Sequence, residues 1–79
     1  MYEIIFDEKV IQFMEKLEHN NKFDIFDTLS IIRENPFIFQ LYNLSNTNYR
    51  LKLNDYRLII NIDTKRKVIK VLFIRKIIN

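Results

Sequence analysis

YRLKLNDYRLIINI, residues 49–62, decides the fold. Leu51 and Leu53 alternate with Arg50 and Lys52 ahead of Asn54-Asp55, and Leu58, Ile60 and Ile62 alternate with Arg57 and Asn61 behind it. Apolar residues at every second position mark strands with one buried face. Asn and Asp tolerate the left-handed backbone that a two-residue turn requires. The stretch is therefore predicted to be a β-hairpin with Asn54 and Asp55 as its loop. That register sets Leu53 against Tyr56, Lys52 against Arg57 and Leu51 against Leu58. One face of the ribbon is then apolar, and the other carries Arg50, Lys52 and Arg57 as neighbours. Like charges facing each other on a sheet cost up to about 1 kcal/mol a pair. A cluster that costs stability invites the question of what anion would offset it.

Beyond the hairpin, Asp63 to Lys67 reads as a charged turn and VIKVLFIRK (68–76) as a last strand. That strand is apolar on both faces apart from Lys70, as near the middle of a sheet. Before the hairpin, residues 36–48 have no sustained period, and their Ser, Asn and Thr cluster predicts a loop. Phe37, Phe39, Leu41 and Leu44 are expected to pin it to the core. Val10, Phe13, Met14 and Leu17 recur at helical spacing, with Asp7 as N-cap and Glu8 in the first turn. A second stripe runs through Phe23, Ile25, Phe26, Leu29 and Ile32 and stops near Asn35, because the residue before Pro36 is pushed out of helical space. The short link at His19-Asn20-Asn21 makes the two helices an antiparallel pair. Residues 2–6 form a first strand, whose neighbour in the sheet the sequence leaves open. The plan is α+β: an N-terminal strand, a two-helix hairpin, then a three-stranded antiparallel meander, with the helices packed on one sheet face.

The 79 residues make one domain, near the lower size at which a single core suffices. With no cysteine, neither a disulfide framework nor a Cys-based zinc site supports that core. No apolar run approaches a membrane span, and the acidic start lacks the pattern of a signal peptide, so the expected location is the cytoplasm. The net charge of +3 hides a division. Residues 1–48 hold four basic groups against eight acidic ones, whereas residues 49–79 hold nine against two. A polyanion or an acidic protein is the partner such a C-terminal half would suit; a solvated basic surface is the bland alternative. The bias toward Ile, Asn and Lys, with no Gly and no Ala, reflects an A/T-rich coding sequence and says nothing of activity.

The order of elements and several words in the chain resemble the RelE/ParE superfamily of small toxins. The words are Tyr49-Arg50-Leu51-Lys52-Leu53, then Asp55-Tyr56-Arg57-Leu58-Ile59-Ile60, a helix ending at Asn35-Pro36, and a closing KVIKVLFIR (67–75). The resemblance implies a type II toxin neutralised by an acidic antitoxin peptide that wraps around it. RelE-like members enter the ribosomal A site and cleave mRNA, whereas ParE-like members inhibit DNA gyrase without chemistry of their own. No cofactor or metal is implied.

For an RNA cleaver, the resemblance aligns Arg50, Lys52 and Arg57 with the cations that converge on the scissile phosphate. Preorganised positive charge stabilises the phosphorane directly. Lys52 is the member suited to proton transfer, and Arg50 and Arg57 suit phosphate binding. Lys70, Arg75 and Lys76 on the last strand extend the nucleic-acid-binding set. Active cleavers continue past that strand with a further Arg and an aromatic or His acid. Here Arg75 and Lys76 open that region, Ile77 stands where the Arg is expected, and the sequence ends at Asn79. The implied catalytic Arg and aromatic region is thus absent, leaving Arg75 or Lys76 as substitutes. Of the remaining candidates, Tyr56 is assigned to the core by the hairpin register, and His19 to a solvated interhelical loop. Phe6, Phe13, Phe23 and Phe26 are assigned to the core, and the turn Lys65-Arg66-Lys67 to the surface. Three readings remain: a ribosome-dependent RelE-like toxin, a ParE-like gyrase inhibitor, or a homologue without toxicity.

Overall fold

The hairpin forms in the register its sequence predicts. Leu53 pairs with Tyr56, Lys52 with Arg57 and Leu51 with Leu58. Asn54 takes the left-handed conformation at φ 52°, and its side-chain amide reaches Asp24 Oδ2 on the second helix at 3.4 Å. The structure, a computed structural model, describes residues 1–77. In order the elements are β1 (Glu3–Phe6), α1 (Glu8–Glu15), α2 (His19–Glu34), β2 (Tyr42–Ser45), β3 (Asn48–Leu53), β4 (Tyr56–Asp63) and β5 (Val68–Lys76). The five strands form one sheet in the order β1-β5-β4-β3-β2. Strands β2 to β5 are an antiparallel meander, and β1 returns to pair in parallel with β5. A parallel pair needs a crossover connection, and the two helices between β1 and β2 belong to it.

Both helices give one stripe to the same core. Val10 and Met14 of α1 are buried with Ile25, Leu29 and Ile32 of α2. They meet Leu51, Leu53, Tyr56, Leu58, Ile60, Ile62, Ile69, Val71 and Ile74 of the sheet. Asp7 caps α1 by accepting from the Lys9 amide at 2.9 Å. Asn35 leaves helical space at φ −147°, ψ 96°, ahead of Pro36. Tyr56 is 5% exposed and meets the Phe13 ring edge-on at 6.2 Å. No helix is long and apolar enough to cross a membrane among the described residues.

Four expectations are corrected. Residues 42–45 are a strand, not loop, so the meander has four strands. β2 is exposed at every position, so burial left no alternating signature; backbone pairing to β3 and the Asn43 side chain, donating to the Asn46 and Asn48 carbonyls, hold it instead. His19 begins α2 and packs edge-on against Phe23, with ring centroids 4.4 Å apart. Phe23 and Phe26 are about half exposed, because α2 carries two apolar stripes and turns Ile25, Leu29 and Ile32 to the sheet. Phe37 and Leu44 are also exposed, while Phe39 and Leu41 pack against the core.

An irregularity between β4 and β5 positions the site. Ile60 pairs with Val71 but Ile59 pairs with Phe73, so Leu72 is an extra residue in β5. A bulge of this kind shifts the phase of every side chain beyond it.

Candidate nucleic-acid interface

The helices cover one face of the sheet, and the other face is open. Along β4 the buried residues Tyr56, Leu58, Ile60 and Ile62 alternate with half-buried Arg57, Ile59, Asn61 and Asp63. Directly paired residues of an antiparallel ladder share a face, with Cβ atoms about 5 Å apart. The open face can therefore be read row by row. Across β3, β4 and β5 the row nearest the hairpin turn is Lys52, Arg57 and Arg75. The next, starting on β2, is Tyr42, Arg50, Ile59 and Phe73. A third holds Asn48, Asn61, Lys70 and Ile5 of β1, and there the Asn61 side chain donates to Asn48 Oδ1 at 2.8 Å.

This arithmetic separates the predicted residues. Lys52, Arg57 and Arg75 come together as directly opposed neighbours on adjacent strands. Arg50 stands diagonal to Arg57, half-buried because its guanidinium lies over the Tyr42 ring, 4.7 Å from the centroid. Lys70 shares the face but lies four residues along β4 from Arg57 by its Asn61 pairing, about 13 Å away. Lys76 pairs with core-facing Tyr56, so it starts from the helix-covered side. The bulge produces that outcome: were Leu72 an ordinary rung of the ladder, strict alternation would put Lys76 on the face of Lys70 and turn Arg75 toward the helices. The Ile77 amide donates to the Asp55 carbonyl at 2.6 Å, tying the end of β5 to the hairpin turn. Ile78 and Asn79, on which part of the C-terminal expectation falls, lie outside the described residues.

No carboxylate sits in the first two rows. Glu3 and Asp63 flank Val68 at the far end of the face, and Asp24 and Asp27 line a pocket beside Lys52 and Asn54 on the α2 side. Among the described residues the ion pair formed is Arg66 with Asp63, at 4.0 Å; Arg50, Lys52, Arg57 and Arg75 pair with no acid. Four cations from three strands, held on one sheet without a salt-bridged acid among the described residues, make a candidate anion site. Phosphate groups suit it, since guanidinium offers forked donors and lysine a point charge. Sequence reasoning missed Tyr42 and Phe73 on this face. Tyr42 was hidden because β2 was read as loop, and Phe73 because strict alternation through β5 loses phase at the bulge.

A two-helix α+β domain with an open cationic sheet face is the class these features define. Its fold is that of the RelE toxins. No family model matches the chain, and no curated protein matches it in sequence. Solved structures do match. RelE in the archaeal RelE–RelB complex from Pyrococcus horikoshii OT3 superposes with a TM-score of 0.86 at 26% identity, over 95% of this chain and 93% of that one. The isolated E. coli RelE toxin gives 0.86 at 23% identity, over 100% and 87%. The intact E. coli RelBE toxin–antitoxin complex gives 0.82 at 24% identity, over the full length of both chains.

Proposed function

We propose that the chain is the toxin of a type II toxin–antitoxin pair, acting in the cytoplasm on mRNA in the ribosomal A site to arrest translation. The observation that carries this reading is the unpaired Lys52, Arg57 and Arg75 row, with Arg50 beside it, on the open face of a RelE fold. The structures compared are RelE toxins, and they lend no support to the ParE-like, gyrase-directed alternative. Two of them hold an antitoxin partner, and an acidic antitoxin peptide is the matching partner for this chain's basic half.

Cleavage through the 2′-hydroxyl takes the proton from that hydroxyl, forms a bond from its oxygen to phosphorus with negative charge building on the phosphorane, and breaks the bond to the 5′-oxygen, which leaves with a proton. Arg57 lies at the centre of the row and is assigned to the phosphorane oxygens, where fixed positive charge is worth most. Arg75 faces it from β5 and supplies the second guanidinium. Lys52, exposed at the β3 side, is assigned the proton transfer, from the 2′-hydroxyl to the leaving 5′-oxygen. Arg50, held against Tyr42, binds the adjacent phosphate. Lys70 and Lys76 fall outside this group and contribute, at most, general attraction for RNA.

The test is purified protein on ribosomes programmed with a defined mRNA, read by primer extension across the A-site codon. A cut there, lost in Arg57→Ala, is the expected result, accompanied by growth arrest on expression that the same substitution relieves. Intact mRNA with arrest retained would remove cleavage and leave binding alone as the activity. Harmless expression of the wild type would overturn the toxin reading altogether.

A further inference from the structure

The row beside the cations carries two features that phosphate binding does not explain. Tyr42 is 62% exposed and Phe73 46% exposed, and both belong to the open face by register. The other large rings are paired or packed: Phe6 with Phe26, Phe13 with Tyr56, His19 with Phe23 and Phe37 with Tyr49, while Tyr2 and Phe39 lie against the core. Phe73 has no aromatic partner among the described residues. Its cross-strand neighbour is Ile59, and a bulge is what turns it outward.

We propose that Tyr42 and Phe73 are stacking platforms for the bases of an unpaired RNA strand whose phosphates lie on Lys52, Arg57 and Arg75. This rests on the RNA-binding reading above and adds which form of RNA the site takes. Rows on one face of a sheet are about 7 Å apart along the strands, so a backbone laid across the cation row sets its bases over the next one. Tyr42 and Phe73 stand at the two ends of that next row, on β2 and β5, three strand spacings or about 14 Å apart. Between them lie Arg50, already stacked on Tyr42, and the flat apolar side chain of Ile59. Aromatic rings accept any base face, but only a base splayed out of a helix offers one. A duplex would meet the phosphate row and leave both rings uncovered. An acidic peptide would be drawn to the same charge but would gain nothing from two separate exposed rings flanking a guanidinium. The surface therefore selects single-stranded over double-stranded RNA, with a preference set at Phe73 and Tyr42.

Fluorescence anisotropy with the purified full chain tests this on three probes: a ten-nucleotide unpaired RNA, an abasic oligomer of the same length, and an RNA duplex. Phe73→Ala and Tyr42→Ala should each weaken binding of the unpaired RNA about 5- to 100-fold. Phe73→Ala should not change affinity for the abasic oligomer or the duplex, or the slope of log K against log salt, whereas Tyr42→Ala, which also releases Arg50, should lose more affinity for the unpaired RNA than for either of those probes. Phe73→Trp and Tyr42→Phe, which keep a ring, should hold the unpaired RNA as the wild type does. Arg57→Ala should weaken all three probes alike and lower the single-strand salt slope by about 0.7. If the wild type binds RNA but the two alanine variants bind unpaired RNA equally well, or lose all probes equally, the platforms are refuted and the phosphate site stands. A wild type that binds no probe at low salt removes both.

Discussion

The two faces of the sheet are made from the same strands, residue by alternate residue, yet they obey opposite rules. On the helix-covered face Leu58, Ile60, Ile69 and Val71 are wholly buried, and the face is closed by Val10, Ile25, Leu29 and Ile32. On the open face Lys52, Arg57 and Arg75 oppose one another without a counter-ion among the described residues. The first arrangement lowers the free energy of the fold and the second raises it. Period two keeps the two tasks apart: a side chain one position along contributes to the other task. Charge can therefore accumulate at a site without entering the core.

The largest effect should come from the covered face. Ile60→Ala removes a wholly buried side chain from the central strand and should destabilise the domain by about 2–5 kcal/mol, read from the urea unfolding midpoint. An effect below 1 kcal/mol would mean that the core is not where the packing places it.

Deleting Leu72 should cost less than Ile60→Ala. Removal of the extra residue leaves Ile60 opposite Val71 and Ile59 opposite Phe73 in a regular ladder, so Phe73 and Arg75 stay on the open face. Cooperative unfolding and RNA affinity near wild type are the expected results. Loss of both would show that the bulge is structurally required and does not simply restore phase.

The open face should respond with the opposite sign. Arg57→Ala relieves like-charge opposition from Lys52 and Arg75 and should raise stability by up to about 1 kcal/mol while abolishing function. That gain should shrink in 1 M salt, where the screening length falls to about 3 Å. A variant that is both less stable and less active would place Arg57 in the fold and not in the site.

The smallest change tests a residue on neither face. Lys67 ends the β4–β5 turn with φ 56°, in a chain that has no glycine for such positions. Lys67→Gly relieves left-handed strain and should stabilise by about 0.5–1 kcal/mol after the entropy cost of glycine, with RNA binding nearly unchanged.

Much of this was legible beforehand. The hairpin and its register, the burial of Tyr56, the Asp7 cap and the stop at Asn35-Pro36 all follow from local chemistry. A period, a capping carboxylate or a pre-proline residue acts on its own neighbours. The misreadings share a cause. β2 owes its existence to a partner strand and not to burial. The second stripe of α2 is apolar, but its packing partners could not be known in advance, so Phe23 and Phe26 were assigned to the core. Three polar residues that interrupt an apolar stripe at His19 suggest a loop, although a helix's first turn needs no apolar face.

For the candidate site, the sequence by itself determined that Arg50, Lys52 and Arg57 share one face of one hairpin, because alternation and turn length are local. Only the tertiary structure decided what joins them. Pairing of β1 with β5 spans the whole helical crossover, and no local pattern encodes that partner. The choice of Arg75 over Lys76, and the outward turn of Phe73, depend on one unpaired residue in β5. Its position is set by how β4 and β5 both satisfy the core at Ile60 and Val71 on one side and Leu58 and Ile74 on the other. Two strands packing against the same helices settle that phase together, and neither carries it alone.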